Sequence, residues 1–317
     1  MKNKKILIIG SSGFLGQEVT REFIAKGINV IGIDPKKSDF AHPNFKEINE
    51  MLTLEAKTTG VKFQEISHIV NCAALLPYGA KKANLQNINI GNTKAVLTIL
   101  SDFPEVRLVH ISSSSVYGKP KNLPVNKNTE LDPLDEYAKS KLEAENLIVN
   151  RLSKDRYAIV RPRTILGKGR SGIFAILFKL ISKRIPIPMP NRGTQIVQFV
   201  HVKDLAQLVV HLTVNNISGI WPAGSIKPDH LLKALKELEK VNAPKIRFIY
   251  IPTSVFVGVG KFLVFFRVTK FTLWHFKTFP ASNYFDPIWK PMDFEYKFTS
   301  TEALIDSYAN FFERGLK

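Results

Sequence analysis

The chain has one cysteine, Cys72, in 317 residues. A single thiol excludes a disulfide framework and any multi-thiolate metal centre, and it fits a reducing compartment, here the cytoplasm. The seven histidines show neither an H-x-x-x-H spacing nor a cysteine partner, so no metal site is expected. Long apolar runs are also missing. The start, Met1-Lys2-Asn3-Lys4-Lys5 followed by Ile6 to Ile9, has a signal peptide's charged head, but its apolar run stops after four residues. Further on, the uncharged run Phe248 to Gly260 is thirteen residues long and contains Pro252, which falls short of a membrane span. Acid is scarce: 27 Asp and Glu stand against 45 Lys and Arg, a formal net charge of +18. Such a balance implies polyanionic partners, whether phosphorylated ligands, nucleic acid or an anionic membrane surface. From Arg156 to Lys203 there are ten Lys and Arg and no acid at all.

What is present reads as alternating strands and helices. Lys5 to Ile9 is a short buried strand that runs into Gly10-Ser11-Ser12-Gly13-Phe14-Leu15-Gly16 and then into a helix, Gln17 to Lys26, with Val19, Phe23 and Ile24 inward. Strand, glycine turn and helix in that order cradle a pyrophosphate, because glycine admits the ligand to the backbone and the helix start offers free N–H groups. The next strand, Asn29 to Ile33, ends on Asp34, at the distance where an acid binds a ribose 2′-OH. Asp34 argues for NAD, while Lys36 and Lys37 leave NADP open.

Ser38 to Phe63 reads as a connection with a short strand and helix. Ile66 to Val70 is another buried strand, and the small residues Ala73 and Ala74 beyond it let a cofactor lie against the strand end. Asn84 to Leu100 is a helix that holds Asn89 and Thr93. Arg107 to Ile111 is a strand that discharges into Ser112-Ser113-Ser114-Ser115-Val116-Tyr117-Gly118. In Asp132-Pro133-Leu134-Asp135-Glu136-Tyr137-Ala138-Lys139-Ser140-Lys141, Asp and Pro open a helix, and the interval from Tyr137 to Lys141 stacks a phenol and an ammonium on one face. A nearby cation stabilises a phenolate, which makes the pair a proton-transfer device near neutral pH. Tyr157 to Val160 is a strand ending at Arg161-Pro162, and helices Ile173 to Ile181 and Val202 to Leu212 flank a proline-broken stretch, Ile185 to Pro190. The expected fold is α/β: a doubly wound parallel (Rossmann) sheet with a smaller C-terminal substrate lobe. Residues 1–165, joined again by 194–224, form the NAD-binding part, and residues 166–193 with 225–317 form the lobe.

Taken jointly, the chain resembles the extended short-chain dehydrogenase/reductase family, in its NAD-dependent sugar epimerase and dehydratase branch. The resemblance rests on Gly10-x-x-Gly13-Phe-Leu-Gly16, Asp34, Ala73-Ala74, Asn89 with Thr93, Ser113 to Gly118, Tyr137-x-x-x-Lys141, Arg161-Pro162 and Phe199-Val200-His201-Val202-x-Asp204-Leu205. It implies that Tyr137 is the general acid/base and that Lys141 lowers its pKa and binds the nicotinamide ribose. Ser113 would hold the reacting oxygen, with Ser112 and Ser114 its rivals. It assigns Gly10, Ser12, Gly13, Phe14, Leu15, Gly16, Asp34, Ala73, Ala74 and Asn89, besides Tyr137 and Lys141, to the cofactor, and it implies a homodimer.

Departures from the family narrow the reaction. The related dehydratases carry Asp-Glu after the catalytic hydroxyl, whereas this chain has Ser114 and Ser115, so oxidation, reduction or epimerisation is favoured over dehydration. Nucleotide-sugar enzymes commonly have Asn at Thr164 and Arg-Asp at Val197-Gln198, and that Arg holds the pyrophosphate. Its loss leaves Arg163, Lys168, Arg170 and Arg192 as candidate phosphate contacts, with Ser114 and Thr164 as further substrate candidates. Ile246 to Phe279 combines many Phe with Lys261, Arg267, Lys270 and Lys277. It reads either as a helix that buries its aromatics in its own lobe or as an interfacial helix at the inner face of a membrane. The substrate is then a phosphate-bearing sugar on a nucleotide or on a polyprenyl diphosphate. An NAD(P)-dependent reductase of a sterol-like ketone is an alternative, and so is a non-catalytic binding protein on the same fold; a nucleic-acid partner is not expected.

Overall fold

The computed structural model describes residues 4–52, 60–75, 82–169, 173–241, 243–266 and 273–311. Strand β1 (Lys5–Ile9) leads into helix α1 (Phe14–Ala25), then β2 (Val30–Ile33), β3 (Phe45–Ile48) and β4 (Ile66–Asn71). A short α2 (Lys82–Leu85) widens into a π-helical turn, Gln86–Ile90, before α3 (Gly91–Asp102). Next come β5 (Arg107–Ile111), α4 (Glu136–Arg151), β6 (Tyr157–Pro162), β7 (Thr164–Leu166), α5 (Ile173–Ser182) and β8 (Ile187–Pro190). The chain continues through β9 (Ile196–Val197), β10 (Phe199–His201), α6 (Val202–Val214), β11 (Gly219–Ala223), β12 (Asp229–His230) and α7 (Leu231–Glu237). It closes with β13 (Phe248–Ile251), α8 (Thr253–Phe265), α9 (Leu273–Thr278) and α10 (Ser300–Ala309).

Seven strands form one parallel sheet in the order β3-β2-β1-β4-β5-β6-β11. The order reverses between β1 and β4, which opens a crevice beyond their C-terminal ends. Burial on both faces explains why β1 after Lys5, and β2, are apolar instead of alternating with polar residues. Ile6 and Ile8 of β1 enter one core with Val19 and Phe23 of α1 and Leu205 and Val209 of α6. Leu7 and Ile9 enter the core on the opposite face, with Val96 and Leu100 of α3 and Ile148 of α4. A third core joins Phe178 of α5, Met189 of β8, Leu235 of α7 and Leu304 of α10.

One sequence expectation is met and one shifts. In the stretch Ser38 to Phe63 the expected strand is β3 at the sheet edge; residues 53–59 lie outside the described residues. Helix α4 starts at Glu136, not at Asp132-Pro133, because the Asp135 carboxylate accepts the Ala138 N–H at 2.8 Å and caps the helix there. Asp132 instead donates its N–H to the carbonyl of Val116 at 3.0 Å.

Asp204, in the first turn of α6, explains the His-Val-x-Asp pattern. Its carboxylate is 1% exposed and accepts the N–H groups of Lys297 at 3.1 Å and Phe298 at 3.0 Å. Beside it the His201 ring stacks on Phe298 with centroids 3.9 Å apart. This latch ties the end of the chain to the sheet. Asp204→Ala takes the acceptor from two partly buried N–H groups, and we expect a loss of about 2 kcal/mol in a urea melt.

Candidate active site

At the C-terminal ends of the central strands lies a cavity of about 1410 Å³. The glycine turn forms one wall. Gly10 has φ +80, and a Cβ there would stand 2.7 Å from the Ala73 nitrogen. A Cβ on Gly16 would lie 1.9 Å from the Gly10 carbonyl oxygen, so only glycine lets α1 start this close to β1. The α1 N-terminus has no side-chain cap and no acid in its first turn. Its first N–H groups and dipole therefore suit an anion, and the missing Cβ atoms leave a cradle for a pyrophosphate.

Asp34 stands on this wall at the end of β2. Its carboxylate accepts the N–H of Ser12 at 3.2 Å and that of Lys36 at 2.8 Å. Glu47 of β3 accepts the Ser12 hydroxyl at 3.1 Å and the Ser38 N–H at 2.6 Å. Two carboxylates thus converge on Ser12, while Lys36 and Lys37 face solvent. A ribose hydroxyl donates to such a rim, and a 2′-phosphate is repelled by it.

The serine run leaving β5 turns in a short 3-10 helix, Ser114–Tyr117, capped by Ser113. The Ser113 hydroxyl accepts the Ser115 N–H at 3.1 Å and lies 2.9 Å from the Ser115 hydroxyl. Ser113, Tyr137 and Lys141 all line the same cavity. Ser112 also borders the cavity, but it is 3% exposed and its hydroxyl donates to Glu145. Ser114 lines the cavity too, and its hydroxyl accepts from Arg163 Nη1 at 3.2 Å.

Lys141 is 2% exposed, and its Nζ donates to the carbonyl of Ile111 at 2.8 Å. Burial lowers its pKa from 10.5 to about 8, against the opposing pull of Glu145. Glu145, one turn further along α4, grips Arg161 of β6 through Nε at 3.0 Å and Nη2 at 2.5 Å. Arg161 Nη1 in turn donates to the Tyr117 hydroxyl at 2.6 Å. Sequence reading did not single out Glu145 or Glu47; the signal for Glu145 was its place one turn after Lys141 on the inward face of α4.

Of the predicted cofactor residues, Gly10, Gly13, Phe14, Leu15, Gly16, Asp34, Ala73 and Ala74 line the cavity. Ser12 and Asn89 sit behind the wall. Ser12 spends its N–H and hydroxyl on Asp34 and Glu47. Asn89, 3% exposed, accepts the Leu75 N–H at 2.8 Å and donates to the Ser140 hydroxyl at 3.0 Å, so it holds the β4 loop to α4. Of the substrate candidates, Thr164 and Arg163 line the cavity. Arg163 lies 5.8 Å from the Phe285 ring centroid, and desolvation lowers its pKa to about 10. Arg192 and Lys168 are exposed away from the wall, Arg192 in a turn with φ +51, and Arg170 lies outside the described residues. Val197 reaches the cavity. The Gln198 carboxamide also borders it, but spends its bonds on the carbonyl of Ser225 at 2.9 Å and the N–H of Phe285 at 2.8 Å.

The model of the NAD dependent epimerase/dehydratase family matches residues 6–221. The chain belongs to this family. As an NAD-dependent enzyme of the extended short-chain dehydrogenase/reductase type it uses NAD, and the cradle at α1 and the Asp34 carboxylate on the cavity wall fit that cofactor. The chain is similar to the N-acetyl-alpha-D-glucosaminyl-diphospho-ditrans,octacis-undecaprenol 4-epimerase of Escherichia coli O157:H7, 25% identical over 258 residues, covering 79% of this chain and 76% of that protein. It is also similar to a UDP-glucose 4-epimerase of Vibrio cholerae, 28% identical over 221 residues, covering 65% of this chain and 66% of the relative. Its fold is shared with the UDP-glucuronic acid 4-epimerase of Bacillus cereus, with TM-score 0.77 at 20% identity over 99% of this chain and 100% of that one.

The family member's buried lysine gives a pH signature. Because the folded-state pKa of Lys141 is depressed, the unfolded chain binds more protons between pH about 8 and 10.5. Across that window the Lys141 contribution to stability rises with pH, by up to about 3 kcal/mol. Thermal melts of cofactor-free protein across this range are expected to show the rise, and Lys141→Met to lack it.

Proposed function

We propose that this enzyme interconverts a secondary alcohol and ketone on a phosphate-bearing sugar, most simply as an epimerase, by tyrosine-assisted hydride transfer. The convergence of Ser113, Tyr137 and Lys141 on the cavity that also holds the glycine cradle carries this reading. In it residues 1–165 with 194–224 form the cofactor-binding domain, which also brings Ser113, Tyr137 and Arg163 to the substrate, and residues 166–193 with 225–317 form the substrate lobe.

NAD, when bound, supplies the acceptor and donor of hydride. The chain does the rest. The Tyr137 phenol takes the proton of the reacting hydroxyl as the carbon is oxidised and returns it on reduction. Ser113 donates to the reacting oxygen and fixes its position. Lys141, anchored on the Ile111 carbonyl and one turn after Tyr137 on α4, supplies the cation that lowers the cost of the phenol's ionised form. Epimerisation follows when the transient ketone turns and is reduced on its other face.

Hydroxyls at Ser114 and Ser115, in place of an acid and a base, support oxidation and reduction over loss of water. Arg163 is the candidate for the substrate's anionic group, since it borders the cavity beside Ser114 and Thr164. The similarity to two 4-epimerases supports carbon 4 of the sugar as the reacting centre.

A second reading, reduction of an apolar ketone, draws on the apolar wall that α5 brings to the cavity through Ile173, Phe174, Ile176 and Leu177. The two readings separate by cofactor balance, because an epimerase releases no reduced cofactor and a reductase consumes it each turnover. Tyr137→Phe is expected to retain NAD binding and the wild-type melting temperature while losing turnover by roughly 10²–10⁴-fold. Mass spectrometry and NMR of sugar diphosphates incubated with wild type and variant provide the check, and near-normal conversion by the variant refutes the mechanism.

A further inference from the structure

Helix α8 is apolar on two adjacent sides. Toward the cavity it presents Phe256 and Leu263, with Gly260 packed against the Phe276 ring of α9. Toward solvent it presents Val255, Val259, Phe262 and Phe266, spaced at i, i+4, i+7 and i+11 and therefore on one stripe. Phe265 beside that stripe is 79% exposed and Phe262 is 60% exposed. The patch continues onto β13, where Ile249 and Tyr250 are more than half exposed, and to Ile185 just before β8, the strand that pairs with β13 and packs against α8. A helix apolar on its outer as well as its inner side belongs in a core or at a lipid boundary, and scattered single apolar residues do not make such a stripe.

The charge around the patch names the occupant. The two segments that build this corner, Arg156 to Lys203 and Lys240 to Phe285, contain no Asp or Glu. Lys179, Lys183 and Arg184 at the end of α5, Lys245 and Arg247 before β13, and Lys261 on α8 are all exposed. Cations flanking a phenylalanine stripe match an anionic headgroup layer above acyl chains. At thirteen residues α8 is about 20 Å long, and no helix among the described residues is long and apolar enough to cross a membrane. It can lie in the interface and cannot span it. The aromatic and basic segment Ile246 to Phe279, read from sequence either as a helix buried in its own lobe or as an interfacial helix, contains β13, α8 and α9, with Arg267, Lys270 and Phe271 outside the described residues.

We propose that the outer face of α8 seats the enzyme on an anionic bilayer, and that the inner face of the same helix forms the wall along which a lipid-carried sugar diphosphate enters the cavity. The second half rests on the sugar-diphosphate reading above. Apolar side chains of α5 and α8 supply the path for the lipid, while Arg163 waits beside Ser114 for the phosphate.

The test uses the full-length protein with NAD and no substrate, so its outcome is independent of the sugar reading. Co-sedimentation with phosphatidylcholine vesicles containing phosphatidylglycerol is expected to pellet the wild type at low salt and to weaken as salt rises. The variant Phe262→Ser/Phe265→Ser/Phe266→Ser alters only outward side chains. It is expected to keep NAD affinity and to lose vesicle affinity by about tenfold or more. Wild type remaining in the supernatant overturns the proposal, and so does equal pelleting of wild type and variant. A wild type that is dimeric in gel filtration without vesicles and becomes monomeric in the variant assigns the face to a second copy, which also overturns it. For the entry route, a polyprenyl-diphosphate sugar in the same vesicles is compared with its short-chain water-soluble analogue. The variant is expected to lose turnover on the first and keep it on the second; equal loss on both refutes the route while leaving the docking result intact.

Discussion

The buried ion pair between Glu145 and Arg161 governs the geometry of the site. Removing two charges from water is costly, and their fork of hydrogen bonds recovers that cost only in one arrangement. That arrangement fixes α4 against β6. Ser112, donating to the same carboxylate, fixes the end of β5, and Tyr117, accepting from the same guanidinium, fixes the turn beyond it. Ser113 lies between those two anchored residues, and Lys141 lies one turn before Glu145 on α4. The distance between the serine turn and the tyrosine helix is thus set by a pair that never meets the substrate.

Most of the cofactor side was legible because its signals are local. Gly10 and Gly16 are required by contacts within one turn of chain, and Asp34 ends the strand next to β1. Tyr137 and Lys141 share a helix, so their spacing alone places them together. Where partners come from distant segments, the pattern said less. Ser12 and Asn89 have the right position in the motif, yet their side chains are committed to Glu47, Leu75 and Ser140 behind the wall. Arg192 looked like a phosphate ligand from charge alone, but its turn carries it outward. The start of α4 was misplaced because Asp132 and Asp135 are equally plausible caps by residue type, and the tie of Asp132 to Val116 decides between them.

The two ends of the cavity are built from different materials. Backbone N–H groups, glycines and the Asp34 carboxylate make the cofactor end, where the family pattern is kept almost intact. Aliphatic and aromatic side chains of α5, α8 and α9 make the other end, where the positions that differ from the nucleotide-sugar pattern also lie. Val197 faces the cavity and Gln198 is consumed in holding Ser225 and Phe285, so neither brings a charge to the wall there.

The Asp204 latch also bears on how the protein is made. Its carboxylate waits for backbone groups 93 and 94 residues further along the chain. A nascent chain that has emerged only as far as α6 has all seven strand positions but the last, and it still lacks the segment that satisfies Asp204, as well as α8, α9 and α10. Until α7 and α10 have emerged, α5 packs only against the neighbouring strands β7, β8 and β10, and the rest of its apolar side stays uncovered. The segments from α7 to α10 therefore complete the core that α5 begins, and a chain halted before them exposes that apolar face to any apolar surface nearby.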